Sequence, residues 1–241
     1  MRYAILSDIH GNLEALDAVL ADALPRADGV LCLGDVVGYG ADPLACIERM
    51  AEGAHAVVAG NHEHGVAGLL DLDWFNDRAR VAAEWTRGRL DDDHLQWLAA
   101  RPLVLEVDDA TLVHASPARP AEWDYLVSAE DGYEALAAFA TRMCFVGHSH
   151  RPGVWSVGSS GRAWEPAATE VELEAGRRYL INVGSVGQPR DGDPRAAYAL
   201  WDVDGRRVTI ERVPYDLAST RRKIVAAGLP TFLAERLSIG A

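Results

Sequence analysis

Hydrophobic positions fall in short bursts separated by amphipathic stretches, and that rhythm sets the expected elements. Arg2–Ser7 reads as a strand. Asn12 follows as a helix N-cap, and Leu13, Leu16, Val19 and Leu20 share one face until Pro25 stops the helix. Val30–Leu33 is a short buried strand, and Asp42-Pro43 opens a second helix at its cap and first-turn positions. Ala56–Ala59 is a third strand, ending in Gly60. Strands alternating with helices in this way predict a parallel sheet.

Residues 65–100 break the rhythm. Rich in Ala, Trp and charge, they read as a mostly helical insertion beside the site, with Trp74, Trp85 and Trp97 packing it down. Leu103–Val107 and Thr111–Ala115 flank a Val-Asp-Asp-Ala turn and predict a hairpin, while Ser128 to Asp131 fits a capping box for a helix through Ala140. Beyond His150 the expected pattern is antiparallel, with strands at Val154–Val157, Glu170–Glu174, Tyr179–Val183, Ala197–Val203 and Arg207–Val213, and Asp204-Gly205 as a hairpin turn. The tail from Leu217 to Gly240 reads as two short helices broken at Gly228-Leu229-Pro230, whose apolar faces would suit contact with a second copy of the chain. No linker or repeat divides the chain, so one domain over 1–241 is expected.

With 49% apolar residues the chain can build a sizeable core. No apolar run approaches the roughly 20 residues of a membrane span, and the N-terminus enters a strand without a signal-peptide pattern. A cytoplasmic protein with no membrane partner is the expectation. The net charge of −13 argues against non-specific nucleic-acid binding through a basic face. Cys32, Cys46 and Cys144 are too scattered for a disulfide framework or a Cys-x-x-Cys zinc site, and are expected as buried thiols.

The chemistry gathers where the apolar runs end. Asp8 and His10 follow Ala-Ile-Leu-Ser, Asp35 follows Leu-Cys-Leu-Gly, and Asn61 and His62 follow Val-Val-Ala-Gly. His114 follows Thr-Leu-Val, and His148 and His150 follow Cys-Phe-Val-Gly. Loops at strand ends of an open α/β sheet can converge on one spot. Any one of these pairs alone is commonplace, since a lone Asp-x-His is usually a surface pair and a lone His on an apolar run is usually core. Their shared position unites them. Mixed imidazole, carboxylate and carboxamide ligands suit two borderline transition-metal ions better than one calcium or magnesium ion. The reading is a two-metal hydrolase of a phosphate ester.

Asp-x-His, Gly-Asp, Gly-Asn-His, a lone His and Gly-His-x-His stand here in that order between residues 5 and 150. The chain thereby resembles the calcineurin-like metallophosphoesterase family. Asn182-Val-Gly-Ser-Val-Gly-Gln-Pro-Arg190 is also similar to a segment of its small bacterial members. The resemblance implies an α/β sandwich of two mixed β-sheets flanked by helices (α-β-β-α). It also implies two divalent ions, manganese foremost, with iron, zinc or nickel as other occupants. One ion would take Asp8, His10, Asp35 and His150, and the other Asp35, Asn61, His114 and His148. A bridging hydroxide would attack phosphorus while His62 serves as general acid. His64 matches no family element and is expected as a surface histidine. The phosphoprotein phosphatase branch has Gly-Asp-x-x-Asp-Arg-Gly, whereas this chain has Gly34-Asp35-Val36-Val37-Gly38-Tyr39-Gly40. The Asp that would orient the catalytic His is Gly38, and the phosphate-clamping Arg is Tyr39, which cannot make bidentate phosphate contacts. Arg190 is the expected substitute clamp, with Tyr39 beside the substrate. A small, nucleotide-like phosphodiester or phosphomonoester is the expected substrate. A nuclease, a protein phosphatase and a non-catalytic scaffold with this fold are the alternatives, the last disfavoured because the ligand set is complete.

Overall fold

The computed structural model describes residues 1–241. Strands β1 (Arg2–Leu6), β2 (Gly29–Cys32) and β3 (Ala56–Val57) run parallel, joined by helices α1 (Leu13–Ala23) and α2 (Pro43–Gly53). Next come α3 (Asn61–Ala67), α4 (Asp77–Arg87) and α5 (Asp92–Ala99), then the antiparallel pair β4 (Val104–Val107) and β5 (Ala110–Val113). Helix α6 (Ala129–Ala135) leads to β6 (Met143–Val146), β7 (Gly153–Gly158), β8 (Gly161–Pro166), β9 (Glu170–Glu172) and β10 (Arg178–Asn182). Strands β11 (Ala196–Asp202) and β12 (Arg207–Val213) precede α7 (Leu217–Ala226) and α8 (Thr231–Glu235).

The strands form two six-stranded mixed sheets, ordered β3-β2-β1-β11-β12-β9 and β4-β5-β6-β10-β7-β8. Strand alternation sorts the side chains between layers. Tyr3 and Ile5 face the second sheet, with Leu31, Leu112, Phe145, Ile181 and Trp201, in a core shared by both sheets. Ala4 and Leu6 face the other way, under α1 and α2 with Leu16, Val19, Ile47 and Met50. A further cluster around Trp155, Leu136 and Phe139 covers the outer face of the second sheet. The order of layers is helix, sheet, sheet, helix, as the resemblance implied. No helix is long and apolar enough to cross a membrane.

Several local expectations need correction. The strands after His150 pair antiparallel with one another as expected, but β10 also joins β6, which precedes His150, in parallel. β8 went unread because Gly-Arg-Ala-Trp-Glu-Pro shows little apolar alternation, as suits an edge strand with a solvated face. Helix α6 has the predicted box, with Ser128 and Asp131 capping reciprocally, but stops at Ala135 and not Ala140. Leu136 and Phe139 turn into the Trp155 cluster, and the Phe139 carbonyl accepts a bond from the Arg178 guanidinium. Asp42 stands at the N-cap of α2 yet makes no cap hydrogen bond; its carboxylate pairs with Lys223 on α7. Trp97 packs against the core under α5 and Trp85 against the C-terminal helices, but Trp74 is 83% exposed. Helices α7 and α8 and the turns that follow them pack through Ile224, Leu229, Leu233 and Leu237 onto Tyr39, Ala79 and Ala82. All three cysteines are buried.

Candidate metal centre

Parallel pairing puts the C-terminal ends of β1, β2 and β3 on one edge, and β5 and β6 end together in the second sheet. The loops beyond those ends are stitched to one another. Asp8 N–H donates to the Gly34 carbonyl, His10 N–H to Asp35 and Gly11 N–H to Val36, continuing the β1–β2 ladder past the strands. Val186 and Gly187 N–H add a third loop by donating to the carbonyls of Ser7 and Asp8. The Asn182–Arg190 segment is thus a buttress: Ser185 Oγ donates to the Asp8 carbonyl, and Asn182 Nδ2 to the Gly147 carbonyl.

Backbone strain is concentrated at this spot. Ten non-glycine residues have positive φ, and Asp8, His10, Asp35, Tyr39, Trp123, His148 and His150 are seven of them. Such residues cost of order 1–3 kcal/mol each and persist only where neighbours over-determine them. Here they curl the chain so that successive side chains leave the strand ends toward a common centre.

Three donor groups result: Asp8, His10 and His150; His10, Asp35 and His62; and Asp35, His114 and His148, all buried. Asp35 Oδ2 lies 3.6 Å from His10 Nε2 and 3.3 Å from His114 Nε2. Asp8 Oδ1 lies 3.1 Å from His150 Nε2. Asn61 Oδ1 and His148 Nε2 are buried with no hydrogen-bond partner. Six of the seven residues expected as ligands fall in these groups, and Asn61 lines the same cavity as Asp35, His148 and His150.

The donor chemistry fits a cation. His10 Nδ1 lies 3.1 Å from the Val37 carbonyl and His150 Nδ1 2.6 Å from the Gln188 carbonyl, so each Nδ1 carries the proton. Their Nε2 lone pairs then face each other across 3.1 Å with no proton between them. Burial holds both imidazoles below their ordinary pKa, in the neutral form that ligates metal. Burial would raise the Asp8 and Asp35 carboxyls, but His150 beside Asp8 and His114 beside Asp35 outweigh it and keep both below the usual range. Burial likewise lowers His114, and Asp35 reverses this to reach about 9. Two buried carboxylates, the unprotonated Nε2 atoms of His10 and His150 and the unpartnered Nε2 of His148 make an oxygen–nitrogen set that suits divalent transition metals.

Comparisons with known proteins agree. Residues 1–206 match the calcineurin-like phosphoesterase superfamily domain. The chain belongs to this superfamily. It is a metal-dependent phosphoester hydrolase. An uncharacterized protein of Methanocaldococcus jannaschii is 40% identical over 242 residues, covering 98% of this chain and 97% of its own. A metallophosphoesterase from Sphaerobacter thermophilus, known from its crystal structure, is 42% identical with a TM-score of 0.87, covering 100% of this chain and 99% of its own. The symmetrical bis(5'-nucleosyl)-tetraphosphatase of Shewanella baltica is 27% identical over 189 residues, covering 76% of this chain and 65% of its own length.

What holds His62 without the usual Asp is visible in the same place. A Cβ at Gly38 would stand 2.2 Å from His62 Nδ1, and Gly38 itself has φ +90°, so the ring occupies the space a side chain would need. Tyr39 (4.6 Å between ring centroids), His10 (4.8 Å) and Phe75 (5.0 Å, edge-on) cage it by packing alone. His62 N–H donates to Asp35 Oδ1, while its Nδ1 has no partner. Burial lowers its pKa to about 4.

Sequence reading missed Glu63. Its buried carboxylate accepts from the backbone N–H groups of Asp35, Val36, Val37 and Gly60, fastening the β2 loop to the start of α3. A Glu three residues past a cap position was the available signal. His64 is half-buried, edge-on to Trp123 at 5.2 Å, and so is not a simple surface histidine. Arg190 and Tyr39 both line the cavity above the donors, the guanidinium 5.8 Å from the ring centroid.

Proposed function

We propose that this chain is a binuclear-metal phosphoesterase that hydrolyses a small phosphodiester or phosphomonoester. The observation that carries the reading is Asp35, whose carboxylate lies 3.6 Å from His10 on one side and 3.3 Å from His114 on the other, so that it can serve two ions. Asp8, His10, Asp35 and His150 would hold one ion, and Asp35, Asn61, His114 and His148 the other. When bound, the ions would supply Lewis acidity that activates water near neutral pH and offsets phosphate charge. Manganese is the first metal to test.

The chain's own residues do the rest. Arg190 has a buried Nε without a partner and spends one Nη2 bond on Gln188 Oε1, which leaves donors free for phosphate oxygens. Tyr39 walls the ester beside it. His62, caged beside His10 and Asp35 and left out of the proposed ligand set, delivers a proton to the leaving oxygen, and a bound phosphate dianion opposes the burial that lowers its pKa. The cavity encloses about 220 Å³, below the usual 300–1,000 Å³ of ligand pockets, which favours a small ester over a protein or nucleic-acid chain. The tetraphosphatase relatives make nucleotide-like esters the leading class to assay.

The test is a panel of phosphomonoesters, phosphodiesters and dinucleoside polyphosphates assayed with manganese, iron, zinc or nickel. Turnover of a small ester that chelation abolishes is expected, with His62→Ala lowering kcat by about 10²–10⁴-fold at unchanged metal content. Inactivity toward every ester with every metal contradicts the reading.

A further inference from the structure

The wall above the donors is aromatic. Trp74, Phe75, Trp123 and Tyr125 line the cavity with Tyr39, and none of them lies in the motifs that carry the ligands. Two of the four are left in water: Trp74 is 83% exposed and Tyr125 53% exposed. An exposed indole at a cavity mouth is surface that a ligand can cover. The wall begins on the metal floor. Tyr125 stacks on His148 at 4.0 Å between centroids and 24° between planes, and Trp123 stands edge-on to His114 at 6.1 Å.

Trp123 adds a sign of a ligand. Its indole N–H is buried and finds no acceptor in the protein. Buried donors without partners are rare, and one lining an open cavity is placed to meet an acceptor on whatever enters. Asn76 shares this wall; its Oδ1 is spent capping α4 through Ala79 N–H, leaving the Nδ2 donors available.

We infer that Trp74, Trp123 and Tyr125 form a stacking subsite for a planar ring carried by the substrate's ester group, a nucleobase or an aryl ring. This rests on the phosphoesterase reading for the phosphate end and extends it to the other end of the substrate. Rings stack on indole and phenol faces with little regard for their substituents, while the free Trp123 N–H supplies a directional contact. An alkyl or sugar phosphate would use the floor and leave the wall bare.

The test is calorimetric titration of the manganese-loaded protein with adenosine 5'-monophosphate, phenyl phosphate and ribose 5-phosphate, which share the phosphate and differ in the ring. The two ring-bearing ligands should bind about 10-fold more tightly than ribose 5-phosphate. In Trp74→Ala that ratio should fall toward one, and Trp74→Phe should restore most of it. The exposed position of Trp74 means that both variants should keep the parent Tm. Adenosine 5'-monophosphate ahead of phenyl phosphate makes the ring a nucleobase; equality makes it any aryl group, and both support the subsite. Equal binding of all three, or a ratio that Trp74→Ala leaves intact, overturns it. Phosphate release measured in parallel separates the two readings. No hydrolysis of any ester defeats the phosphoesterase proposal, whereas hydrolysis without a ring preference defeats only this one.

Discussion

The floor and the rim of the cavity are built by different means. The floor takes its donors from loops tied to one another by backbone hydrogen bonds, and Asp8, His10, Asp35, His114, His148 and His150 are all buried. The rim takes Trp74, Trp123 and Tyr125 from the connections 68–76 and 114–128 and leaves Trp74 in water. A change in the floor strands buried charge, whereas a change at the rim removes surface. The two sheets divide the floor as well. Asp8, His10, Asp35 and Asn61 follow strands of the first sheet, and His114, His148 and His150 follow the second. Every carboxylate of the proposed ligand set comes from one sheet, so the centre exists only when the sheets are packed.

Breaking the floor at its shared member should have the largest effect. Asp35→Asn keeps the shape, removes a charge and should deplete at least one ion by elemental analysis, with kcat/KM down by more than about 100-fold. If the variant keeps both ions and full rate, the shared role is wrong. Loosening the floor from behind comes next. In Glu63→Gln an amide N–H₂ faces backbone N–H groups, costing about 1–3 kcal/mol and weakening manganese binding by about 10–100-fold. Manganese titration and thermal unfolding check both, and an unchanged titration would make Glu63 merely structural.

The smallest effect lies outside both regions. Asp193 accepts from the Arg195 guanidinium, whose bonds lower its pKa from 3.8 to about 2. A depressed carboxyl stabilises the fold fully above its unfolded value, and that contribution is lost as pH falls through the folded one. The pair is partly exposed, so Asp193→Asn should cost less than about 1 kcal/mol at neutral pH. The difference from the parent in denaturant unfolding should shrink between pH 4 and pH 2, about the two pKa values. A difference that grows on acidification contradicts the sign.

The floor was legible in the sequence because metal donors at strand ends interrupt apolar runs, and Asp8 through His150 do so repeatedly. The rim was not. Trp74 reads as a packing residue because an apolar ring in a helical stretch is ordinarily core, and only the fold sets it at the cavity mouth. Gly38 reads as a missing Asp, whereas in three dimensions its empty side is where His62 sits. The parallel pairing of β10 with β6 was hidden for a different reason. Alternation marks a strand and its faces but carries no information on whether its neighbour runs parallel.

The most direct measurement is anomalous diffraction at the manganese edge from crystals of the loaded protein. Two peaks about 3.5–4 Å apart with the Asp35 carboxylate between them are predicted. A single peak, or two peaks that share no contact with Asp35, would contradict a two-metal centre.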